Sequence, residues 1–289
     1  MTEAVFDGFT RIFDPLSQWW EKPRTQRFIA AILVVLFLAA LGFIELGRQD
    51  LLPASLSGRV STSHYQAINI AFTFVMVLEV VGLIFTLPCS VSRALGKQFE
   101  ILALIFIRNS FKEISVLPEP IAFTDQVDVL WRILADGGGA LAIFALLGFY
   151  GRLLRKSEDT LQPGRVRDRF VAAKKGVSLL LLAIFIAMGL YGAWSLAAGD
   201  GNFHFFPNFY TVLIFSDILL VLIAQCYLPE FRGVFRNSAY ALATLLIRLS
   251  LAAPPFYNVL IGVASALFAV ALTWAYNNYS AWNRPLAEK

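Results

Sequence analysis

A chain of 289 residues with 58% hydrophobic and 15% charged side chains lies far from the soluble norms of about 45–50% and about 25%. Together with a mean hydropathy of +0.66, this excludes an ordinary soluble domain. The formal charge of +4 and the pI near 9.1 do not indicate nucleic acid either. The 24 lysines and arginines flank apolar runs, as the cytoplasmic anchors of membrane spans do. The composition predicts an all-α polytopic membrane protein whose first partner is the lipid bilayer.

The N-terminal segment, 1–24, is a separate element. Val5, Phe6, Phe9, Ile12, Phe13, Leu16, Trp19 and Trp20 recur at three- and four-residue spacing, with Asp7, Arg11, Asp14 and Gln18 between them. That pattern predicts an amphipathic helix too short and too charged to span, lying along the cytoplasmic headgroups or packed on a partner. Acids and aromatics stand where a secretory leader has its basic region, so no cleavage is expected.

Eight apolar runs follow, at 28–47, 67–88, 99–117, 129–151, 176–196, 209–228, 238–253 and 257–276. A crossing needs about 20 mostly apolar residues. The third and seventh runs contain Arg108 and Arg248, and an arginine at a helix centre costs about 2.5–3.5 kcal/mol on insertion scales. The distribution of bases still favours crossing. With eight spans, 18 of the 24 bases fall on the side of the N-terminus and four on the other. Without the third and seventh, the base-rich segment 152–175 would land outside, against the positive-inside rule. Both termini are therefore expected in the cytoplasm of a plasma or bacterial inner membrane.

Segment 152–175, with eight bases around Gln162-Pro163-Gly164, reads as a solvated cytoplasmic linker. Contact with anionic lipids is its functional alternative, since bases near such headgroups gain about 1 kcal/mol each. It divides the chain into two membrane repeats, 25–151 and 176–278, ahead of a cytoplasmic tail at 279–289. His64 and His204 are 140 residues apart, as are Arg108 and Arg248, and Leu102, Ala103, Ile107 and Ser110 meet Leu242, Ala243, Ile247 and Ser250 at the same offset. Ala140, Leu141, Ala145, Leu146 and Tyr150 meet Ala266, Leu267, Ala271, Leu272 and Tyr276 at offset 126. Four helices per repeat is an even number, so both halves enter the membrane the same way, as in parallel-repeat transporters.

Candidate chemistry lies in the intramembrane charges. Glu79 and Arg108 fall at matching depth on consecutive spans of the first half, and Asp217 and Arg248 do so in the second. Ionisable residues at such depth face the bundle interior and pair. They are either structural ion pairs that set helix register or an ion or solute site. Asp136 opens a fourth span with Gly137-Gly138-Gly139, read either as a broken helix exposing carbonyls or as a close packing surface. His64 and His204, at the outer boundary, are weak metal candidates as a matched pair, with ordinary loop-bonding roles as the alternative. Cys89 and Cys226 are expected as buried cytoplasmic thiols with no disulfide.

No phosphate loop, His-Glu-x-x-His, Cys-x-x-Cys or Gly-x-Ser-x-Gly occurs in the sequence, so no enzyme and no cofactor are expected. Four helices with an acid on the second also describe a voltage-sensing unit, but its row of arginines at every third position of the fourth helix is absent. Two function classes remain. One is a carrier or channel for a small ion or solute, with a charged midplane site between the repeats. The other is a non-transporting sensor, assembly factor or scaffold that meets a membrane protein partner or a second copy of itself.

Overall fold

The computed structural model describes residues 2–49, 63–117, 127–156, 165–198, 205–227 and 231–282. Helices account for the regular structure there: α1 (Thr2–Glu21), α2 (Pro23–Arg48), α3 (Gln66–Thr86), α4 (Val91–Glu113), α5 (Val127–Lys156), α6 (Arg165–Ala197), α7 (Phe205–Tyr227), α8 (Phe231–Ala252) and α9 (Tyr257–Trp282), with a 3-10 turn at Ile114–Val116. Prolines set several of the breaks. Lys22 is extended (φ −61, ψ 132) ahead of Pro23 at the first turn of α2, because the proline ring disfavours helical geometry in the residue before it. Pro88 follows α3, and Pro254-Pro255 separate α8 from α9.

Among the described residues, six helices are long and apolar enough to cross a membrane: α2, α3, Val127–Leu154 of α5, Asp168–Ser195 of α6, α7, and Tyr257–Tyr279 of α9. Leu141, Phe144, Leu190, Trp194 and Phe215 are each more than half exposed on these helices, a surface that lipid rather than water covers. The chain is a mostly helical, polytopic membrane protein. Helices α4 and α8 are less apolar, yet they lie at the centre of the bundle.

The largest core joins α4, α5, α8 and α9 through Phe99, Phe106, Ile143, Ala243, Ile247 and Ala269. A second joins α3, α6 and α7 through Ile84, Leu181, Phe185, Phe209 and Leu213. Lipid tails are as apolar as leucine, so helices in a membrane associate through close packing of small residues and through polar contacts. Gly139 and Gly262 do this here. A Cβ on Gly139 would stand 2.4 Å from Val259, and one on Gly262 would stand 2.9 Å from the Phe106 ring. Helix α5 is continuous through Gly137-Gly138-Gly139. The broken-helix expectation is therefore wrong, and the packing alternative holds at Gly139.

Polar contacts also join neighbouring helices. Ser110 on α4 donates to the Ile133 carbonyl on α5 at 3.2 Å. Ser250 on α8 donates to the Asn258 carbonyl on α9 at 2.7 Å. The Tyr150 ring lies 3.5 Å from where a Cβ on Gly96 would be, and its hydroxyl donates to the Ser92 carbonyl at 2.7 Å. The Arg236 guanidinium lies 6.0 Å from the centre of the Tyr276 ring. Positions 96 and 236 are 140 apart, and 150 and 276 are 126 apart.

Three expectations change. First, α1 packs on its own chain: Phe13 is buried, and Phe13 and Trp20 each lie 5.7 Å from the Phe85 ring. Lys175 Nζ meets Asp14 Oδ1 at 2.6 Å, while Ile12, Leu16 and Trp19 stay exposed. Second, most of the expected linker is helical. Helix α5 runs to Lys156 and α6 begins at Arg165, leaving 157–164 outside the described residues, and α9 continues to Trp282 into the expected tail. Third, Cys89 and Cys226 are free and exposed, because both fall at the ends of helices rather than within the packed apolar length.

Candidate functional site

The deep charges pair as their spacing predicts. Glu79 on α3 makes an ion pair with Arg108 on α4, and on α7 Asp217 Oδ2 lies 3.5 Å from the Nε of Arg248 on α8. Acid and arginine in each case sit on consecutive helices at comparable depth, which brings opposite charges together in a medium that penalises either alone. The pairs differ in environment. Arg108 is 26% exposed, whereas Arg248 is fully enclosed and its two terminal nitrogens have no hydrogen-bond partner among the described residues.

Beside the second pair lies a cavity of about 50 Å³. It is drawn from both halves: Leu87 and Val91 at the α3–α4 junction, Ala94 and Gln98 on α4, Phe170 and Lys174 on α6, Asp217 to Ala224 along α7, and Asn237, Ala241 and Thr244 on α8. Asp217 and Thr244 are part of its wall. Among the described residues, both amide atoms of Asn237 and the carbonyl oxygen of Gln98 have no hydrogen-bond partner, although both side chains are buried. Buried amides of this kind normally find a partner, so a polar occupant suits this wall. Lys174 Nζ donates to the Cys89 carbonyl at 2.8 Å and sits 4.7 Å from the centre of the Phe170 ring, a cation–π contact that turns its charge into the bundle.

Of the five sequence candidates, only Asp217 lines this cavity, with Arg248 behind it. Glu79 and Arg108 form their own pair outside it. Asp136 is also elsewhere: Asn258 Nδ2 donates to its Oδ1 at 2.9 Å, tying α5 to α9 next to the Ser250 contact. His64 bridges two side chains at the end of α2, with Nε2 3.0 Å from Glu45 Oε2 and Nδ1 2.9 Å from Arg48 Nη1. The neutral ring with its proton on Nε2 satisfies both contacts. Both ring nitrogens are thus engaged, which leaves no lone pair facing a metal. His204 lies outside the described residues, and among those described no group of three potential metal ligands forms.

Gln98, Lys174, Asn237 and Thr244 were missed by sequence reasoning. Gln98 and Asn237 fall in the first two turns of helices, where polar residues normally meet water, and Lys174 was read as part of a solvated linker. Lys174 stands 147 residues after Arg27, each just ahead of an apolar run, but nothing local showed that it turns inward.

Comparison with known proteins finds no matching family model, no similar curated protein and no similar solved structure. Fold and site together define the class: a polytopic membrane protein with ion pairs between its helices, one of them beside a mostly apolar cavity.

Proposed function

We propose that the chain is a carrier or channel for a small ion or solute, with eight spans arranged as two parallel four-helix repeats and both termini cytoplasmic. The observation that carries this reading is the Asp217 cavity. It joins residues of both halves, has a buried acid in its wall, and holds amide atoms that have no hydrogen-bond partner among the described residues. At 23 and 22 residues, α4 and α8 extend roughly 33–35 Å at 1.5 Å per residue, matching a hydrocarbon core of about 30 Å. The repeat is supported by the contacts of Ser110 and Ser250 and of Tyr150 and Tyr276 at corresponding positions, and by α4 meeting α8 and α5 meeting α9 in one core.

A second reading, a non-transporting sensor, assembly factor or scaffold, has one observation on its side: each deep acid is already matched by an arginine. Flux measurement separates the two. Proteoliposomes are assayed with sodium, potassium, proton and chloride gradients against protein-free vesicles. Flux of at least one of these ions that Asn237→Leu abolishes supports the carrier. Absence of all four, with Asn237→Leu and wild type equally inert, favours the scaffold.

A further inference from the structure

We infer that the exposed flank of α1, formed by Ile12, Leu16 and Trp19, is a lipid-contact surface. It is sunk into the leaflet on the side of the N-terminus and held there by apolar burial, not by lipid charge. This goes beyond the proposed carrier and stands or falls without it.

Helix α1 presents three different sides. Phe9, Phe13 and Trp20 face the bundle, the first against Gly176 and the other two against Phe85. Ile12, Leu16 and Trp19 line one flank of that seat and are 57%, 38% and 55% exposed. Their spacing, i, i+4 and i+7, keeps them on one helix face. Asp14, Gln18 and Glu21 repeat the same spacing on the opposite flank. That flank is polar: Asp14 meets Lys175, and Gln18 and Glu21 are exposed. A helix with water on both flanks gains nothing by leaving three large apolar side chains on one of them. A helix at a lipid boundary buries that flank among acyl chains and leaves the other wet.

The level of α1 agrees. Gly176 opens the apolar run 176–196, and Phe85 and Gly82 stand three and six residues before the end of the run 67–88. Helix α1 touches all three, with the Trp20 indole nitrogen 4.0 Å from where a Cβ on Gly82 would be. At about 1.5 Å per residue, these contacts lie within roughly 0–9 Å of the ends of the apolar runs. Interfacial helices settle at a depth of about 5–10 Å. From Phe9 to Trp20 is roughly 16 Å of helix, so α1 runs more along the membrane plane than across it. Lys22, extended ahead of Pro23, then turns the chain into the crossing helix α2.

Charge does not supply the hold. Helix α1 carries four acids, Glu3, Asp7, Asp14 and Glu21, and one base, Arg11, so it offers anionic headgroups no net attraction. Interfacial binding scales with buried apolar area plus attraction to anionic lipid, and this flank provides the first alone. Trp19 suits the position, since indole rings concentrate at membrane–water interfaces.

The test uses the full-length chain carrying Cys89→Ser and Cys226→Ser, reconstituted in phosphatidylcholine vesicles. Ile12→Cys, Leu16→Cys, Trp19→Cys, Gln18→Cys and Glu21→Cys are made singly and labelled with a nitroxide. Collisions with oxygen, which concentrates in lipid, are compared with those of a water-soluble nickel chelate present on both sides of the vesicles. We expect oxygen to dominate at the first three positions and the chelate at the last two. The pattern should persist when part of the lipid is anionic phosphatidylglycerol and when salt is raised. A second measurement leaves the flank unlabelled: phosphatidylcholine brominated near the headgroup end of its chains should quench a component of the tryptophan emission that Trp19→Phe lacks. Chelate access at all five positions overturns the inference, as does equal quenching of wild type and Trp19→Phe. Exclusion of both reagents at the first three positions also overturns it, by placing a second copy or another protein on the flank. Oxygen dominance that appears only with phosphatidylglycerol makes the hold electrostatic and overturns it equally.

Discussion

Asp217 and Arg248 meet across the α7–α8 contact with no part of the arginine reaching the surface. Because the pair is enclosed, each charge is tolerable only while the other is present. Arg248→Leu should destabilise the fold by roughly 3–5 kcal/mol, the cost of stranding a buried partner. The Asp217→Leu/Arg248→Leu double variant should recover much of that, read as the monodisperse fraction in detergent. The same series at Glu79 and Arg108 should show a smaller effect, since Arg108 is partly exposed. A double variant no better than Arg248→Leu alone would show that the two residues do not act as a pair.

Gly139 and Gly138 are adjacent and predict opposite outcomes. A Cβ at Gly139 would collide with Val259, while one at Gly138 has nothing within 4 Å. Gly139→Ala should therefore lower thermal stability, and Val259→Ala in the same chain should restore part of it. Gly138→Ala should be neutral or stabilising by up to about 1 kcal/mol, the helix-interior advantage of alanine over glycine. Equal effects of the two substitutions would place the α5–α9 contact elsewhere.

Docking of α1 is open to a local test. A Cβ on Gly176 would stand 2.9 Å from the Phe9 ring, so Gly176→Leu should push α1 off α6. Trypsin cleavage after Arg11 should then accelerate, while cleavage of wild type stays slow. Asp14→Ala, which removes an exposed partner of Lys175, should change the rate little, as surface ion pairs contribute only about 0–1 kcal/mol.

Sidedness follows from the two native thiols. Cys89 and Cys226, both exposed, flank the end of the bundle where α3 and α7 finish. An impermeant maleimide should label both in inside-out vesicles and neither in right-side-out vesicles. A cysteine placed at position 162 should behave likewise. Labelling of one native cysteine from each face would be incompatible with eight spans and cytoplasmic termini.

The ion pairs were legible in the sequence because depth along a helix follows from counting residues, and an apolar medium leaves opposite charges few other options. The helices themselves were legible from length and composition. What failed was the environment of residues near helix ends. Lys174 looked solvated because bases surround it in the sequence, but its ammonium meets the Cys89 carbonyl, which only tertiary packing brings to it, beside the Phe170 ring one turn back on the same helix. Gly137-Gly138-Gly139 looked like a break because glycine weakens an isolated helix, whereas Val259 on a distant segment supplies the contact that makes Gly139 fit a continuous one. Asn237 and Gln98 are unremarkable in isolation and form one wall only because α4 and α8 face each other.

The seat of α1 also sets an order of events during synthesis. Phe13 is translated 163 residues ahead of Gly176, and the start of α6 is part of the surface on which α1 rests. At about 5–20 residues per second, roughly 8–30 s pass before that part of the seat exists. Phe85 emerges 72 residues after Phe13, so for the rest of this interval Phe13 and Trp20 have the Phe85 ring to rest on while the seat for Phe9 at Gly176 is still missing. The first helix made is therefore seated only after the start of α6 has emerged, and its docking reports that the chain has passed its midpoint.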